Sequence, residues 1–143
     1  MITNDLAPVK EIMRTDLITV SPADNMLKVK EIFEKYRFHH LPVVEYKKLV
    51  GMLSKTDYYE MCIELAKKGE LLADEVFYKE QVKNYMTTGL AKIQATERVD
   101  VAALIFKDNR FHALPVVSEA GELEGLITPF DIATHSFVLT ETY

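Results

Sequence analysis

The sequence is poor in the residues that several classes of protein require. Cys62 is its single cysteine, so no disulfide can form within the chain. Five glycines leave little material for the glycine-rich loops that cradle phosphates in many enzymes. No apolar run approaches the length of about 18 residues that a membrane span needs, and no signal peptide is visible. We therefore expect a cytoplasmic protein that does not bind a membrane.

The chain also has fewer basic than acidic residues, with 17 lysines and arginines, 22 aspartates and glutamates, and a net charge of −5. An acidic chain has no overall field that attracts DNA or RNA, so we expect no nucleic-acid partner. Apolar residues, in contrast, make up 48% of the 143 residues, which is enough to bury a core. These values predict one compact domain, or two small units that share a core.

A repeat organises most of the chain. RFHHLPVV at residues 37–44 returns as RFHALPVV at residues 110–117, and seven of the eight letters agree. With a shift of 73, fourteen of the 36 pairs that begin at residues 9–44 are identical, and a further one-residue slip then places Gly51 on Gly125. Two copies are too few for a solenoid, which needs about three or more repeats. They instead predict a pair in which each copy covers the apolar side of the other.

Each copy predicts the same order of elements: strand, helix, strand, strand, helix. The extended pieces LITV and LAKI come first, and Met26, Val29 and Phe33 then fall at helical spacing. The runs LPVV and LVGML, with LPVV and LEGLI in the second copy, have the length and valine content of strands joined by a tight turn. A longer helix should stop at Gly69, before a connector at residues 73–81. The predicted class is α+β, with two tandem repeats related by pseudo-twofold symmetry.

The starts of the predicted helices carry polar side chains that could cap them. Asp24 or Asn25 could cap the first helix. At the second helix of each copy a tetrapeptide recurs, as SKTD at residues 54–57 and TPFD at residues 128–131. As a capping box, its hydroxyl would accept from the amide of the fourth residue while the carboxylate reaches back to the cap.

The same tetrapeptide has a second interpretation as a nucleotide site. The free N–H groups of a helix start, together with a hydroxyl, favour phosphate. A carboxylate one turn into the helix can accept two hydrogen bonds from a ribose diol. The pattern alone leaves both interpretations open, and its recurrence in register within the repeat strengthens the second.

Basic side chains cluster just before the LPVV strands, at Arg37, His39, His40, Arg110 and His112. They are either solvated loop ends or ligands for a polyanion, since arginine grips phosphate and histidine adds a pH-dependent charge. His39 and His40 have no further ligands at a spacing that would complete a metal site, so we expect no metal.

The sequence shows no recognisable set of catalytic residues. The sequence shows no Ser-His-Asp set and no pair of carboxylates arranged for acid–base work. Cys62, between Met61 and Ile63 on a predicted helix, is typical of an inert, partly buried thiol. We therefore expect that the chain is not an enzyme.

The doubled motifs resemble the cystathionine-β-synthase (CBS) domain. The letters that carry the resemblance are LPVV…GMLSKTD in the first copy and LPVV…GLITPFD in the second. The resemblance divides the chain into a first CBS repeat at residues 7–61, a helical connector at residues 62–77 and a second CBS repeat at residues 78–137. A tandem pair of this kind looks like a Bateman module.

The resemblance implies a regulatory sensor that binds adenosine-containing ligands, such as AMP, ADP, ATP or S-adenosylmethionine, in clefts between the two repeats. It implies no obligatory cofactor, a homodimer and an unidentified regulated protein. Asp57 and Asp131 would hold ribose, while Ser54 and Thr128 would face phosphate. The residues that would flank adenine are Thr19, Val20, Pro42 and Val43 in one cleft and Lys92, Ile93, Pro115 and Val116 in the other. The alternative is a structural dimerisation or protein-interaction module with no bound nucleotide.

In the CBS family, basic residues before the L-P step of one repeat reach phosphate that is bound mainly by the other repeat. The resemblance thus assigns the histidines of the first copy to the Asp131 cleft and that of the second copy to the Asp57 cleft. Ala113 stands where the first copy has His40, and this departure predicts that the Asp131 cleft binds phosphate better. The predicted phosphate contacts are His39, His40, His112, Arg37 and Arg110.

Overall fold

The computed structural model describes residues 6–109 and 112–141, with the side chains of all of these except 109 and 136–141. The elements are α1 (Met26–Lys35), β1 (His40–Glu45), β2 (Lys48–Ser54), α2 (Lys55–Lys67), α3 (Asp74–Lys79), α4 (Val99–Asn109), β3 (Leu114–Val117), β4 (Leu123–Ile127) and α5 (Pro129–Glu141). A short 3-10 turn lies at the start of each copy, at Val9–Glu11 and Val82–Asn84. Both copies thus contain the predicted helix, two strands and helix, and the α+β class is confirmed.

The chain divides into two compact units. The central unit consists of residues 18–90, and the terminal unit consists of the residues up to 17 together with those from 91 onwards. The compact units therefore do not coincide with the sequence repeats, because the first segment of each copy lies in the unit that contains the rest of the other copy.

Backbone hydrogen bonds fix these exchanged segments in place. In the terminal unit, Val9 N donates to the carbonyl of Glu97 at 2.7 Å. In the central unit, the equivalent Val82 N donates to the carbonyl of Asp24 at 2.9 Å. Val9 and Val82 are both fully buried, so each 3-10 turn adds an apolar side chain to the core of its unit.

Each unit holds one antiparallel hairpin, β1 with β2 in the central unit and β3 with β4 in the terminal unit. The segments LITV and LAKI, predicted to be extended strands, contribute only isolated parallel bridges, which join Val20 to Val43 and Ile93 to Val116. In LITV, the hydrogen bonds to β1 are made by Val20. Its N–H donates to the carbonyl of Pro42 at 3.1 Å, and its carbonyl accepts from Val44 N at 2.8 Å.

The start of α1 is capped by Asn25, whose side chain accepts from Lys28 N at 3.0 Å. Asp24, the other candidate, instead accepts from the backbone N–H of Ser21 at 2.8 Å. It therefore stabilises the turn before the helix and leaves the cap position to Asn25.

The helix α2 ends just before Gly69, which has a φ of +82°, as expected of a glycine that terminates a helix. The following segment is not a plain connector, because residues 74–79 form the helix α3. Phe77 of α3 is buried in the core of the central unit, and Asp74 binds Lys30 of α1 at 2.8 Å. The burial of Phe77 explains why a short helix forms there. The helix is too polar to show the hydrophobic periodicity by which a helix is recognised in a sequence.

The cores of the two units are built from matching positions of the repeat. Phe33, Leu41 and Val43 in the central unit correspond to Phe106, Leu114 and Val116 in the terminal unit. The buried cluster of the central unit contains Val20, Met26, Val29, Phe33, Leu41, Val43, Leu53, Met61, Leu65, Phe77 and Val82. That of the terminal unit contains Val9, Ile93, Ala102, Phe106, Leu114, Val116 and Ile127.

Candidate functional site

In the central unit, the predicted capping box at the junction of β2 and α2 is present. Ser54 Oγ accepts from Asp57 N at 3.0 Å, and Asp57 Oδ2 accepts from Ser54 N at 3.0 Å. The next amide, Lys55 N, donates to the carbonyl of His39 at 2.9 Å. Thr56 N donates no hydrogen bond within the described part of the chain. The first turn of α2 therefore presents one free amide, beside a hydroxyl and a carboxylate.

In the terminal unit, the junction of β4 and α5 has the same construction. Thr128 Oγ1 accepts from Asp131 N at 3.2 Å, and Asp131 Oδ2 accepts from Thr128 N at 2.9 Å. The Thr128 hydroxyl also donates to Asp131 Oδ2 at 2.9 Å. Pro129 has no N–H, which leaves Phe130 N as the free amide of this first turn among the described residues. Both interpretations of the tetrapeptide thus remain chemically possible at both sites.

The second carboxylate oxygen of Asp131 is also occupied. Arg14 Nε donates to Asp131 Oδ1 at 3.1 Å. The Asp131 side chain is only 9% exposed, whereas that of Arg14 is 48% exposed. An arginine of the terminal unit therefore already holds the carboxylate that the resemblance assigns to ribose.

The equivalent position in the central unit carries Thr87 instead of arginine. Thr87 Oγ1 donates to Asp57 Oδ2 at 3.4 Å, which is near the limit of a hydrogen bond. Within residues 6–109 and 112–141, no hydrogen bond or ion pair reaches Asp57 Oδ1. The two sites thus differ in the partners that bind their carboxylates. Sequence reasoning missed Arg14, although the repeat aligns it with Thr87.

The predicted adenine-flanking residues are brought together in each unit, but most of their side chains are buried. Val20 and Val43 lie in the core of the central unit, and Ile93 and Val116 lie in that of the terminal unit. Pro42 and Pro115 are buried as well. The exposed members are Thr19 and Lys92.

The predicted phosphate contacts are placed at the starts of β1 and β3. Arg37, His39 and His112 are exposed, and His40 is half-buried and opposite Ser54 in the β1–β2 register. Arg110 lies outside the described residues. The assignment of these side chains to phosphate stays a prediction.

A cavity of about 340 Å³ opens in the terminal unit beside the exposed Lys92. In the central unit, the repeat places Lys28, which binds Asp24 at 3.1 Å, where the terminal unit has Val101. The residues that line the cavity are Lys92, Ile93, Gln94, Glu97, Val101, Ile105 and Val117.

The cysteine and the histidines were the other candidates for chemistry in the sequence. Burial raises the pKa of the Cys62 thiol, against the opposing effect of a hydrogen bond with Tyr58. A raised pKa lowers the thiolate fraction at neutral pH, so the half-buried Cys62 is poorly suited to nucleophilic chemistry. Among the described residues, no three His, Cys, Asp or Glu side chains are grouped so as to hold a metal ion.

Two units with matching cores and matching capped carboxylates define the chain as a tandem-repeat α+β module. The family model of the CBS domain matches residues 9–62 and, a second time, residues 82–137. The chain therefore belongs to the CBS domain family, and the resemblance in the sequence is confirmed. No helix within the described residues is long and apolar enough to cross a membrane.

Among curated proteins, inosine-5'-monophosphate dehydrogenase from Korarchaeum cryptofilum is 34% identical over 117 residues. The match covers 82% of this chain and 22% of the dehydrogenase, so the chain spans about a fifth of that relative's length. The similarity is thus partial with respect to the dehydrogenase.

Solved structures of CBS pairs have the same fold over nearly the whole chain. CBSX2 from Arabidopsis thaliana, in complex with AMP, has a TM-score of 0.79 at 23% identity and covers 94% of this chain and 98% of its own. The CBS domain pair of protein MJ0100, in complex with 5-methylthioadenosine and S-adenosyl-L-methionine, has a TM-score of 0.71 at 25% identity. That match covers 90% of this chain and 98% of the MJ0100 chain.

Proposed function

We propose that the protein is a regulatory module that binds adenosine-containing ligands at the starts of α2 and α5 and signals their presence to a partner protein. The observation that carries the proposal is the repeated junction. In both units a buried strand leads into a helix whose first turn combines a hydroxyl, a carboxylate and a free amide. Chance recurrence of all three groups in register is a poor explanation for two sequences that differ at most other positions.

The chemistry of the junction suits a nucleoside with an anionic substituent. The free amide and the positive end of the helix dipole favour an anion such as phosphate, by about 0.3–1 kcal/mol for an exposed site. Asp57 Oδ1 is available to accept hydrogen bonds from vicinal hydroxyls. Asp57 is half-buried, so water competes less for those bonds than at an exposed carboxylate.

The ligand class is supported by the CBS pairs of similar fold. CBSX2 was solved with AMP, and the pair of protein MJ0100 with 5-methylthioadenosine and S-adenosyl-L-methionine. These ligands share adenosine or a 5′-substituted form of it, and differ in charge at the 5′ position. We therefore propose the adenosine portion as the common determinant and regard the 5′ group as the part that the basic residues select.

A structural module without nucleotide is the second candidate, and the capping geometry favours it. Asp57 and Asp131 both complete capping boxes, so helix stabilisation alone would account for them. On α2, Tyr59 and Ile63 lie one turn apart and are 56% and 55% exposed. Exposed apolar side chains on one helical face suit a homodimer or a partner contact, which either function would use.

Thermal melting with a ligand panel separates the two functions. The panel is AMP, ADP, ATP and S-adenosylmethionine, with 2′,3′-dideoxy-AMP as the matched compound that lacks the diol. A ligand at 100 times its Kd adds about 2.7 kcal/mol to the free energy of unfolding, which corresponds to a rise in Tm of about 5–11 °C for a chain of nearly 150 residues. We expect a shift with at least one adenosine compound and a smaller shift for dideoxy-AMP than for AMP. No shift with any compound would support the structural module.

A further inference from the structure

Arg14 and Asp131 are joined in a way that restricts the Asp131 carboxylate. Oδ1 accepts from Arg14 Nε at 3.1 Å, and Oδ2 accepts from both the N–H and the hydroxyl of Thr128 at 2.9 Å. With 9% of its side chain exposed, Asp131 has little open surface through which further donors can approach. A ribose diol needs acceptor positions on this carboxylate, so it competes with Arg14.

The backbone of Arg14 is fixed where its side chain can make this contact. Arg14 N donates to the carbonyl of Leu126 at 2.9 Å, and Leu126 N donates to the carbonyl of Arg14 at 3.0 Å. The neighbouring Gly125 allows this close approach, because a β-carbon there would lie 2.9 Å from the Arg14 carbonyl oxygen. The backbone of Arg14 is therefore attached to β4 at Leu126, five residues before the carboxylate that its side chain binds.

Thr87 occupies the same backbone position in the central unit. Its N–H donates to the carbonyl of Met52 at 2.8 Å, and its carbonyl accepts from Met52 N at 2.9 Å. Its hydroxyl lies 3.4 Å from Asp57 Oδ2 and carries no charge. One residue difference at matching positions thus changes what a ligand meets at the two carboxylates.

We propose that Arg14 is an internal competitor for the Asp131 carboxylate, which lowers the affinity of the terminal unit for the ribose of an adenosine ligand. This inference rests on the proposed function, and it identifies the residue that makes the two sites unequal. Thr87 imposes no such competition on Asp57. The central unit is then the tighter site for the nucleoside portion of the ligand.

The competition is graded, since Arg14 is about half exposed and can rotate into water when ribose arrives. Exposed ion pairs are weak, and this one has one largely buried partner. We expect it to weaken nucleoside binding at the terminal site by about three- to tenfold in Kd.

Site-resolved NMR of the full chain tests the proposal, with adenosine as the probe. Adenosine has the diol but no phosphate, so its binding does not depend on phosphate contacts. The amides of Ser54 and Asp57 report on the central site, and those of Thr128 and Asp131 on the terminal site. Adenosine is titrated into the parent chain and into four variants: Arg14→Ala, Arg14→Gln, Thr87→Arg and the control Arg98→Ala, whose side chain binds Asp100 at 2.9 Å.

We expect Arg14→Ala and Arg14→Gln to lower the half-saturating adenosine concentration at the Thr128 and Asp131 amides by about three- to tenfold and to leave the central site unchanged. Thr87→Arg should raise the half-saturating adenosine concentration at the Ser54 and Asp57 amides. The control Arg98→Ala should change this concentration at neither site. Unchanged or weaker terminal binding in both Arg14 variants would overturn the competitor role while leaving the proposed function standing. If neither pair of amides responds to adenosine, AMP or S-adenosylmethionine in the folded parent, the proposed function itself fails.

Discussion

Gly125 lies so close to Met13 that a β-carbon on the glycine would be 2.6 Å from the methionine sulfur. The carbonyl oxygen of Arg14 would lie 2.9 Å away, and backbone cannot move aside as a side chain can. At Gly51, the nearest atom to such a β-carbon is the flexible Met86 sulfur at 2.8 Å, and the backbone oxygen of Thr87 is farther, at 3.1 Å. Glycine is therefore required at both positions, because the first segment of a copy lies too close to each hairpin for a β-carbon to fit without a shift.

This geometry predicts an order of stability for two matched substitutions. Gly125→Ala should lower the free energy of unfolding by about 1–3 kcal/mol, as overpacking usually does. Gly51→Ala should cost less, because the nearest backbone atom, the carbonyl oxygen of Thr87, would lie 3.1 Å from the new β-carbon instead of 2.9 Å. Urea unfolding of both variants measures the difference. An equal cost, or a larger one for Gly51→Ala, would show that the backbone contact at Arg14 is not limiting.

The capping boxes predict a loss of stability that is separate from any loss of ligand. Ser54→Ala and Thr128→Ala each remove an acceptor for a first-turn amide, so each should cost about 1 kcal/mol in the free energy of unfolding. Thr56→Ala, an exposed change in the same turn of α2, is the control and should be close to neutral. Chemical denaturation without ligand is the measurement. Stabilities equal to that of the Thr56 control would argue against the caps.

Tyr85 predicts how stability falls at alkaline pH. Burial raises the pKa of Tyr85 from its ordinary value of 10.0 to about 12, and its hydrogen bond to Glu80 adds to the shift. The unfolded chain releases this proton near pH 10, whereas the folded chain keeps it up to about pH 12. The unfolded state therefore binds fewer protons across this window, and the free energy of unfolding must decrease as pH rises through it.

The pKa of Tyr58 is raised in the same direction, mainly by burial, so it contributes to the same decrease. Tyr85→Phe should make the decline between about pH 10 and 12 shallower. Tyr46→Phe is the matched control, because Tyr46 is 91% exposed. Unfolding free energies measured at steps across this window provide the slopes. A Tyr85→Phe slope as steep as that of the control would contradict the assignment.

Much of the fold is predictable from the repeat, because the repeated letters are largely those that build the cores. Phe33 with Phe106 and Leu41 with Leu114 are identical pairs, and all four are buried. The alternation of strand and helix, the end of α2 before Gly69 and both capping boxes follow from local chemistry. The helix α3 could not be predicted from local chemistry, because it is stabilised by the long-range packing of Phe77 into the core.

The difference between the two sites could not be predicted in the same way. Arg14 and Asp131 are 117 positions apart, and their contact depends on the exchange of first segments that forms the two units. The contrast of His40 with Ala113 was visible in the repeat and led to a prediction about phosphate. The contrast of Arg14 with Thr87 was equally visible, but its meaning requires knowing which carboxylate each residue reaches.

Calorimetric titration of the double variant Asp57→Asn, Asp131→Asn with the tightest compound of the ligand panel tests the central claim most directly. Asparagine keeps an oxygen that can accept the capping N–H but removes the charge that strengthens hydrogen bonds from ribose. We expect the variant to unfold near the Tm of the parent and to bind the adenosine compound at least about tenfold more weakly. Asp100→Asn, which changes a carboxylate away from both junctions, should bind like the parent. Parent-like affinity in the double variant would show that Asp57 and Asp131 only cap their helices.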